Sequence, residues 1–184
     1  ILGSGLSALT LAKALVDQNV FVDIFSLKKK PLLNFSRTIG LSKSNIDYFN
    51  DNIVDIENIS WKINNIEILT ENFNREKVLN FKNNKNHLFS VVKNFKIYEA
   101  VEKCLKKNKK FRKIYNNYNF KSLKKYDLII NTDYFNSITK KYFNKKIIKK
   151  YNSNAYTTVI NHNKIVNDTA TQIFTKKGPL AFLP

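Results

Sequence analysis

The sequence opens with a glycine-rich stretch, ILGSGLSALTLAKAL, whose small residues have the spacing of a phosphate-binding loop. Gly3, Gly5 and Ala8 form the pattern G-x-G-x-x-A. In this pattern the first glycine permits a tight turn, the second lets the backbone approach a pyrophosphate, and the small third residue lets a helix pack closely on a strand. The stretch therefore predicts a dinucleotide site, although a strand-to-helix turn without a ligand remains an alternative.

The residue at the end of the strand predicted after this loop would contact the same ligand. Dinucleotide sites usually carry an acidic residue about 20 residues beyond the loop, where it binds the adenosine ribose. Here the segment VFVDIFS ends in Ser26, and Asp23 lies three residues earlier, so strand alternation should turn Asp23 to the opposite face. Ser26 can offer one hydroxyl to the ribose, a weaker partner than a carboxylate.

The segments around the loop predict a βαβ unit with little of its first strand. Only Ile1 and Leu2 precede the loop, where a buried strand of about five residues is usual. The stretch LTLAKALVDQN then repeats apolar residues at helical spacing and ends at Asn19, and VFVDIF suits a buried strand.

Further along, extended and helical patterns alternate. SWKINNIEIL reads as extended, FSVVKNFKIYEAVEKCLKK as a helix that includes Val92, and DLIIN as a strand buried on both faces. NAYTTVINH, TATQIFT and LAFLP are β-like, and the last two are joined by a turn at residues 176–179.

This order predicts an α/β protein in which a doubly wound parallel sheet, a Rossmann-like domain, is interrupted by a separate β-rich domain. We predict that residues 1–50 and 84–148 form the doubly wound domain and that residues 52–83 and 149–184 belong to the β-rich domain.

The charge of the chain is its strongest compositional feature. The formal net charge is +18, from 32 Lys and Arg against 14 Asp and Glu, and all but three of the basic residues are lysine. A basic surface attracts phosphate or anionic lipid, but specific nucleic-acid contacts favour the planar fork of arginine. Scattered lysines therefore favour a solvated surface, and we expect no specific nucleic-acid partner. The stretch 106–126, with Tyr115, Tyr118 and Phe120, keeps open an aromatic platform for RNA.

Other classes of protein are disfavoured. No apolar run reaches the roughly 18 to 20 residues that span a bilayer, and no signal peptide is evident. The single Cys104 can form no internal disulfide, and His87 and His162 are too far apart in sequence to have metal-ligand spacing. We expect a cytoplasmic protein without a metal, with Cys104 as a packing residue.

Two further segments are RTIGLS, residues 37–42, and ATQIFTKKGPLAFLP, residues 170–184. Together they resemble FAD-dependent aromatic hydroxylases of ubiquinone biosynthesis, which belong to the p-hydroxybenzoate hydroxylase-like superfamily. RTIGLS, residues 37–42, resembles the family's RAIALS segment. ATQIFTKKGPLAFLP, residues 170–184, is similar to FTE-x-GPLA-x-LP in the substrate domain and is the most specific match.

A third segment, IINTDYFNSITKK, falls where that family carries the motif A-D-G-x-x-S-x-x-R. Asp133 and Ser137 match it, whereas Tyr134 replaces the glycine and Lys140 replaces the arginine. The family's chain continues on both sides of the stretch seen here, so the resemblance implies a fragment that lacks both ends and is inactive by itself.

The resemblance implies a flavin monooxygenase in which the cofactor performs the chemistry. NAD(P)H reduces FAD, oxygen adds to the reduced flavin, and the hydroperoxide delivers one oxygen to an aromatic ring, here a polyprenylated phenol. No catalytic side chain is implied. The implied cofactor contacts are to the pyrophosphate, the ribose and the flavin side of the site, from Gly3, Ser4, Gly5, Leu6, Ser7, Ala8, Ser26, Arg37 and Asp133.

Two other functions remain open. A nicotinamide-dependent Rossmann oxidoreductase would share the glycine loop but not the RTIGLS and GPLAFLP segments. A basic module that binds RNA or an anionic membrane would rest on the charge. A polyprenylated substrate lies in a membrane, so the basic surface is also compatible with a hydroxylase peripheral to the inner face of the membrane.

Overall fold

The structure is a computed structural model, and it describes residues 1–26, 34–71, 77–82, 87–115, 120–143, 145, 147–160, 163 and 167–184. Within them it has mixed α/β architecture with parallel and antiparallel sheets. In chain order the helices and strands are α1 (Leu6–Asp17), β1 (Val22–Phe25), β2 (Thr38–Ser42), α2 (Lys43–Asn52), a 3₁₀ helix (Glu57–Ile59), β3 (Ser60–Ile63), β4 (Asn65–Thr70), β5 (Lys77–Lys82), β6 (Phe89–Lys93), α3 (Asn94–Lys106), β7 (Phe111–Ile114), α4 (Phe120–Leu123), α5 (Ser137–Tyr142), β8 (Thr169–Thr175) and β9 (Gly178–Phe182).

The chain divides into two compact units, each formed by two separate stretches. Unit 1 comprises residues 1–34 and 98–158, and unit 2 comprises residues 35–97 and 159–184. Residues 35–50 and 87–97 thus group with unit 2, although they were predicted in the doubly wound domain. Residues 149–158 group with unit 1, although they were predicted in the β-rich domain. The assignment of an FAD-binding and a substrate domain stays a prediction.

Unit 1 contains a parallel sheet in which the first two residues of the chain take part. β1 pairs with β7, and Leu2 makes parallel bridges to Phe25 on one side and to Asn131 on the other. The spatial order is β7, β1, residue 2, residue 131. Numbered along the chain these are the third, second, first and fourth strand positions, and dinucleotide-binding sheets begin with the same order. The doubly wound arrangement as a whole stays a prediction.

Helix α1 forms because its apolar residues recur on one face, as the sequence predicted. Ala8, Leu9, Ala12 and Val16 are at most 2% exposed. The helix ends before Asn19, whose φ of 66° lies in the left-handed region that asparagine tolerates. All four residues of β1 that follow are buried, so the predicted helix and strand are confirmed.

Unit 2 contains two sheets. β2, β6 and β3 form an antiparallel sheet in the order β2–β6–β3, and β5, β4, β8 and β9 form a mixed sheet in the order β5–β4–β8–β9. Ile63, Val91 and Ala170 form a buried apolar cluster, against which Ile66 and Phe89 pack. The predicted hairpin at the end of the chain is confirmed as β8 and β9, whose turn closes at Gly178 with a φ of 128°.

Three sequence expectations are wrong in detail. Val92 lies in β6 and not in a helix, because the segment FSVV, which ends in two β-branched valines, pairs with strands on both sides. The DLIIN run forms no strand, and Leu128 is 71% exposed, because this part of the chain pairs only through its last residues. The segment NAYTTVINH forms no strand over residues 154–160, which are exposed, and its last two residues lie outside the described part of the chain.

No helix within the described residues is long and apolar enough to cross a bilayer. The described His, Cys, Asp and Glu side chains form no group that could hold a metal ion.

Candidate functional site

The glycine loop is held at the carboxyl edge of the parallel sheet by hydrogen bonds on both sides. Leu2 N donates to Ile130 O at 2.8 Å and Gly3 N donates to Phe25 O at 3.0 Å. Thr132 N donates back to Leu2 O at 2.8 Å. Only Ile1 and Leu2 precede the loop, but these bonds fix its backbone, because the neighbouring segments supply the ladder.

Gly3 is required by conformation and by space. Its φ is 107°, and a Cβ at this position would lie 2.5 Å from Thr132 Oγ1 and 3.3 Å from the backbone N of Asp133. Both features exclude a side chain. The loop and the segment after Asn131 can therefore approach closely only because residue 3 is a glycine.

Gly5 differs, because it faces open space. It is the N-cap of α1 with φ −74° and ψ 178°, and a Cβ there would have no heavy atom within 4 Å. Glycine offers no side-chain oxygen to the amides of the first turn, and that turn contains no acidic residue. The positive end of the helix dipole therefore faces space that an anion can enter.

Ser4 and Ser26 are brought together beside the loop. Their hydroxyl oxygens lie 2.8 Å apart, and Ser26 is 3% exposed. Ser7 is exposed on the first turn of α1, whereas Ala8 is fully buried under the helix. A ribose contact at Ser26 would therefore need the Ser4 hydroxyl to move aside or to share the ligand.

Asp23 is occupied elsewhere. Arg112 donates to both of its carboxylate oxygens, with Nε–Oδ1 and Nη2–Oδ2 distances of 2.8 Å, and the Tyr126 hydroxyl donates to Oδ2. Burial disfavours the charged carboxylate, but the hydrogen bonds from Arg112 and Tyr126 outweigh it and hold the pKa of Asp23 below its ordinary value. Burial, together with the bond to Asp23, raises the pKa of Tyr126 to about 12.

Asp133 follows Thr132 in a loop that a polar network shapes. The Asn131 amide donates to Thr139 Oγ1 at 2.7 Å, and Thr139 Oγ1 donates to the carbonyl of Asp133 at 2.7 Å. The Asp133 carboxylate accepts the backbone N–H of Phe135 at 2.9 Å. Asp133 is thus fixed by local bonds, with its backbone against Gly3.

A cleft of about 420 Å³ lies in the same loop region, lined by residues 131–134 with Thr139, Phe143 and Lys145. Tyr134 lines this cleft, is 54% exposed and packs edge-to-face with Phe135 at a ring distance of 5.2 Å. Ser137 and Lys140, the other motif positions, are exposed on α5.

Arg37 belongs to unit 2, whereas the other candidate residues belong to unit 1. Its side chain is exposed, and its carbonyl accepts a hydrogen bond from Asn94 N at 3.0 Å, just before β2 begins at Thr38. Thr132 and Asn131, which hold the loops together, are not among the site residues predicted from the sequence. The signal was a pair of polar residues directly after an apolar run, at the carboxyl edge of a sheet.

No family model matches this sequence, and no curated protein matches it. Among solved structures, p-nitrophenol 4-monooxygenase PnpA from Pseudomonas putida DLL-E4 is 12% identical, with a TM-score of 0.50 over 61% of this chain and 30% of that one. The 2,6-dihydroxypyridine-3-hydroxylase from Arthrobacter nicotinovorans is 20% identical, with a TM-score of 0.47 over 61% of this chain and 27% of that one. The chain therefore spans less than a third of either protein, and the likeness to the first shows a shared fold.

Proposed function

We propose that this chain is part of an FAD-dependent monooxygenase that hydroxylates an aromatic ring, with NAD(P)H and O₂ as co-substrates. The observation that carries the proposal is the open helix N-cap at Gly5, set at the carboxyl edge of a parallel sheet. The fold shared with a p-nitrophenol monooxygenase supports it, as does the family resemblance of the RTIGLS and GPLAFLP segments.

At a finer level we propose a hydroxylase of ubiquinone biosynthesis whose substrate is a polyprenylated phenol. The support is the similarity of residues 170–184 to the substrate-domain segment of that family. In the structure this segment forms β8 and β9.

The chain's own residues would bind and orient the cofactor, and FAD, when bound, would supply the redox chemistry. The loop from Gly3 to Ala8 would hold the pyrophosphate, because Gly5 leaves space for it and α1 presents its positive end. The donors would be backbone amides that follow Gly3, since Gly3 N already donates to Phe25 O. Ser26 would contact the adenosine ribose through its hydroxyl. Arg37 would contact the flavin side of the site and Asp133 a cofactor phosphate, largely through its backbone.

The two glycines provide a matched pair of variants that tests the binding site. We expect Gly5→Ala to leave the free energy of unfolding nearly unchanged, because its Cβ meets no atom, but to weaken FAD binding on the order of tenfold or more by occupying the approach of the phosphate. Gly3→Ala should instead lower the free energy of unfolding by about 1 to 3 kcal/mol, because φ and Thr132 both oppose a side chain.

Quenching of flavin fluorescence on titration with the protein gives the affinity, and urea unfolding gives the stability. Unchanged FAD affinity in a folded Gly5→Ala variant would contradict the proposed cofactor site. Tight binding of NAD(H) with no affinity for FAD would favour the nicotinamide-dependent alternative. In the longer protein, hydroxylated product that forms from a phenol only with FAD, NAD(P)H and O₂ tests the reaction itself.

A further inference from the structure

Two turns meet at the amino edge of the parallel sheet of unit 1, opposite the glycine loop. One turn leads from α1 into β1 and the other leads from α3 into β7, and Val22 N donates to Lys110 O at 2.8 Å where the two strands begin. We propose that this edge docks on an anionic lipid bilayer. We define the basic edge as Val20, Phe21, Lys106, Lys107, Lys109 and Lys110. This proposal goes beyond the proposed reaction and does not rest on it.

The apolar part of the basic edge is exposed although its neighbours are buried. Phe21 is 78% exposed and Val20 is 44% exposed, whereas the next residue, Val22, is 4% exposed. An aromatic ring and a branched side chain at the tip of a turn suit the boundary between headgroups and acyl chains, where such groups leave water without entering a protein core.

The lysines of the basic edge lie at the end of α3 and in the turn before β7, which meets the turn of Phe21. Lys110 Nζ lies 5.5 Å from the centre of the Phe21 ring and donates to Asn19 Oδ1 at 2.8 Å, so the ring and the charge are held side by side. Lys106 pairs with Glu102. Within the described part of the chain, Lys107 and Lys109 have no acidic partner, and both are exposed.

The acidic groups nearby do not cancel this charge. Asp17, at the end of α1, pairs with Lys13, and Glu102 accepts from both Lys106 and Lys113. The edge therefore keeps a positive excess, which is attracted to anionic headgroups within about one Debye length.

The chemistry of the basic edge favours lipid over nucleic acid. Its cations are all lysines, which act as point charges and lack the planar fork that reads bases and clamps phosphates. Its exposed apolar residues include the aliphatic Val20, which offers no face for base stacking. A surface that combines point charges with a partly aliphatic tip matches a bilayer interface.

The test is sedimentation of the protein with vesicles of phosphatidylcholine alone or with phosphatidylserine added. We expect binding only to the anionic vesicles, weakened at high salt. Phe21→Ser and the double variant Lys107→Glu with Lys109→Glu should each lower the vesicle affinity on the order of tenfold or more. Phe21→Trp should retain binding, because it keeps an aromatic group at the interface.

The matched control reverses two exposed lysines of α5 in unit 1, Lys140→Glu with Lys141→Glu, and changes the net charge by the same amount. Helix α5 lies beside the Asp133 loop, at the carboxyl edge of the same sheet. We expect it to alter the vesicle affinity by less than about threefold, since the attraction acts only near the surface. An equal loss in this control would overturn the basic edge as the docking site, as would absence of binding to anionic vesicles. RNA binding that survives physiological salt and is lost in Lys107→Glu with Lys109→Glu, without vesicle binding, would show a nucleic-acid surface instead. Circular dichroism spectra matching those of the unaltered protein show that each variant is folded.

Discussion

Tyr134 occupies a position where the resembled motif has glycine, and its ring lines the cleft beside Asp133. If that cleft receives part of the cofactor, a smaller residue should admit it more closely. We expect Tyr134→Gly to strengthen FAD binding several-fold, at a cost in stability of about 0.5 to 1 kcal/mol from added backbone entropy. Flavin fluorescence titration measures the first effect and urea unfolding the second.

Phe135→Gly is the matched control for this variant. It also replaces an aromatic residue with glycine in the same loop, but Phe135 is 81% exposed and does not line the cleft. It should carry a similar cost in stability and leave FAD affinity unchanged. If both variants alter the affinity equally, loop flexibility and not the bulk of Tyr134 controls binding.

Asp23 gives the chain a pH-dependent contribution to stability. Because its pKa is lower in the folded state than in the unfolded one, its stabilisation is complete above the unfolded value of about 3.9 and is lost as pH falls through the folded value. We expect Asp23→Asn to lower the free energy of unfolding by about 1 to 3 kcal/mol at pH 7, since it removes hydrogen bonds to a buried carboxylate.

The difference between Asp23→Asn and the unaltered protein should shrink as pH falls below about 4. Asp17→Asn is the comparison, because it removes an exposed pair with Lys13 that is worth about 0.5 kcal/mol or less. Urea unfolding at pH 7 and at acidic pH measures both. A constant difference across this range would show that packing, and not the charge of Asp23, stabilises the fold.

At the scale of secondary structure elements, α3 and β7 are joined by a largely buried ion pair. Lys113 Nζ lies 2.5 Å from Glu102 Oε1 and 2.9 Å from the Tyr98 hydroxyl, and the two charged side chains are 7% and 17% exposed. Burial opposes both charges, but the hydrogen bonds between them raise the pKa of Lys113 and lower that of Glu102.

We expect Glu102→Gln to lower the free energy of unfolding by about 2 to 4 kcal/mol, because it leaves the Lys113 charge buried without a counterion. The double variant Glu102→Leu with Lys113→Met should be more stable than Glu102→Gln, since it removes both buried charges together. A double-mutant cycle by urea unfolding measures the coupling. Purely additive effects would indicate that the two side chains act independently.

At the scale of the whole molecule, the net charge of +18 determines how the chain binds nucleic acids. Lysines spread over both units release counterions without reading bases, so RNA binding should be weak and should fall steeply between low and physiological salt. Tyr115 is 37% exposed, and its ring centre lies 5.8 Å from Lys113 Nζ. Because weak binding through scattered lysines needs no base stacking, we expect Tyr115→Ala to leave RNA affinity unchanged. Filter binding at two salt concentrations measures this.

Salt-resistant RNA binding that is lost in Tyr115→Ala would instead support an aromatic platform in the stretch 106–126. That stretch contains β7 and the short helix α4. Tyr118 and the side chain of Phe120 lie outside the part of the chain that the structure describes.

The sequence alone predicted the features that depend on neighbouring residues. The spacing of Gly3, Gly5 and Ala8, the apolar face of α1 and the β8–β9 hairpin all follow from local conformational preference and from periods of 3.6 or 2 residues. The same reasoning predicted a helix at Val92. A short apolar run directly before a helix is too brief to show whether its apolar residues repeat every 2 or every 3.6 residues. This reasoning did not assign α2, whose one fully buried apolar residue is Ile46.

Which partners those residues meet was decided only by the tertiary structure. Leu2 forms a β-bridge with Asn131, and the Asp23 carboxylate accepts hydrogen bonds from Arg112. The Ser26 hydroxyl contacts the Ser4 hydroxyl. These contacts join positions 22 to 129 residues apart, and a local pattern shows which face is apolar without showing which distant segment covers it. The exposure of Phe21 also depends on the tertiary structure. Its sequence context resembles the start of a buried strand, and only the packing of the sheet shows that its ring is exposed to solvent.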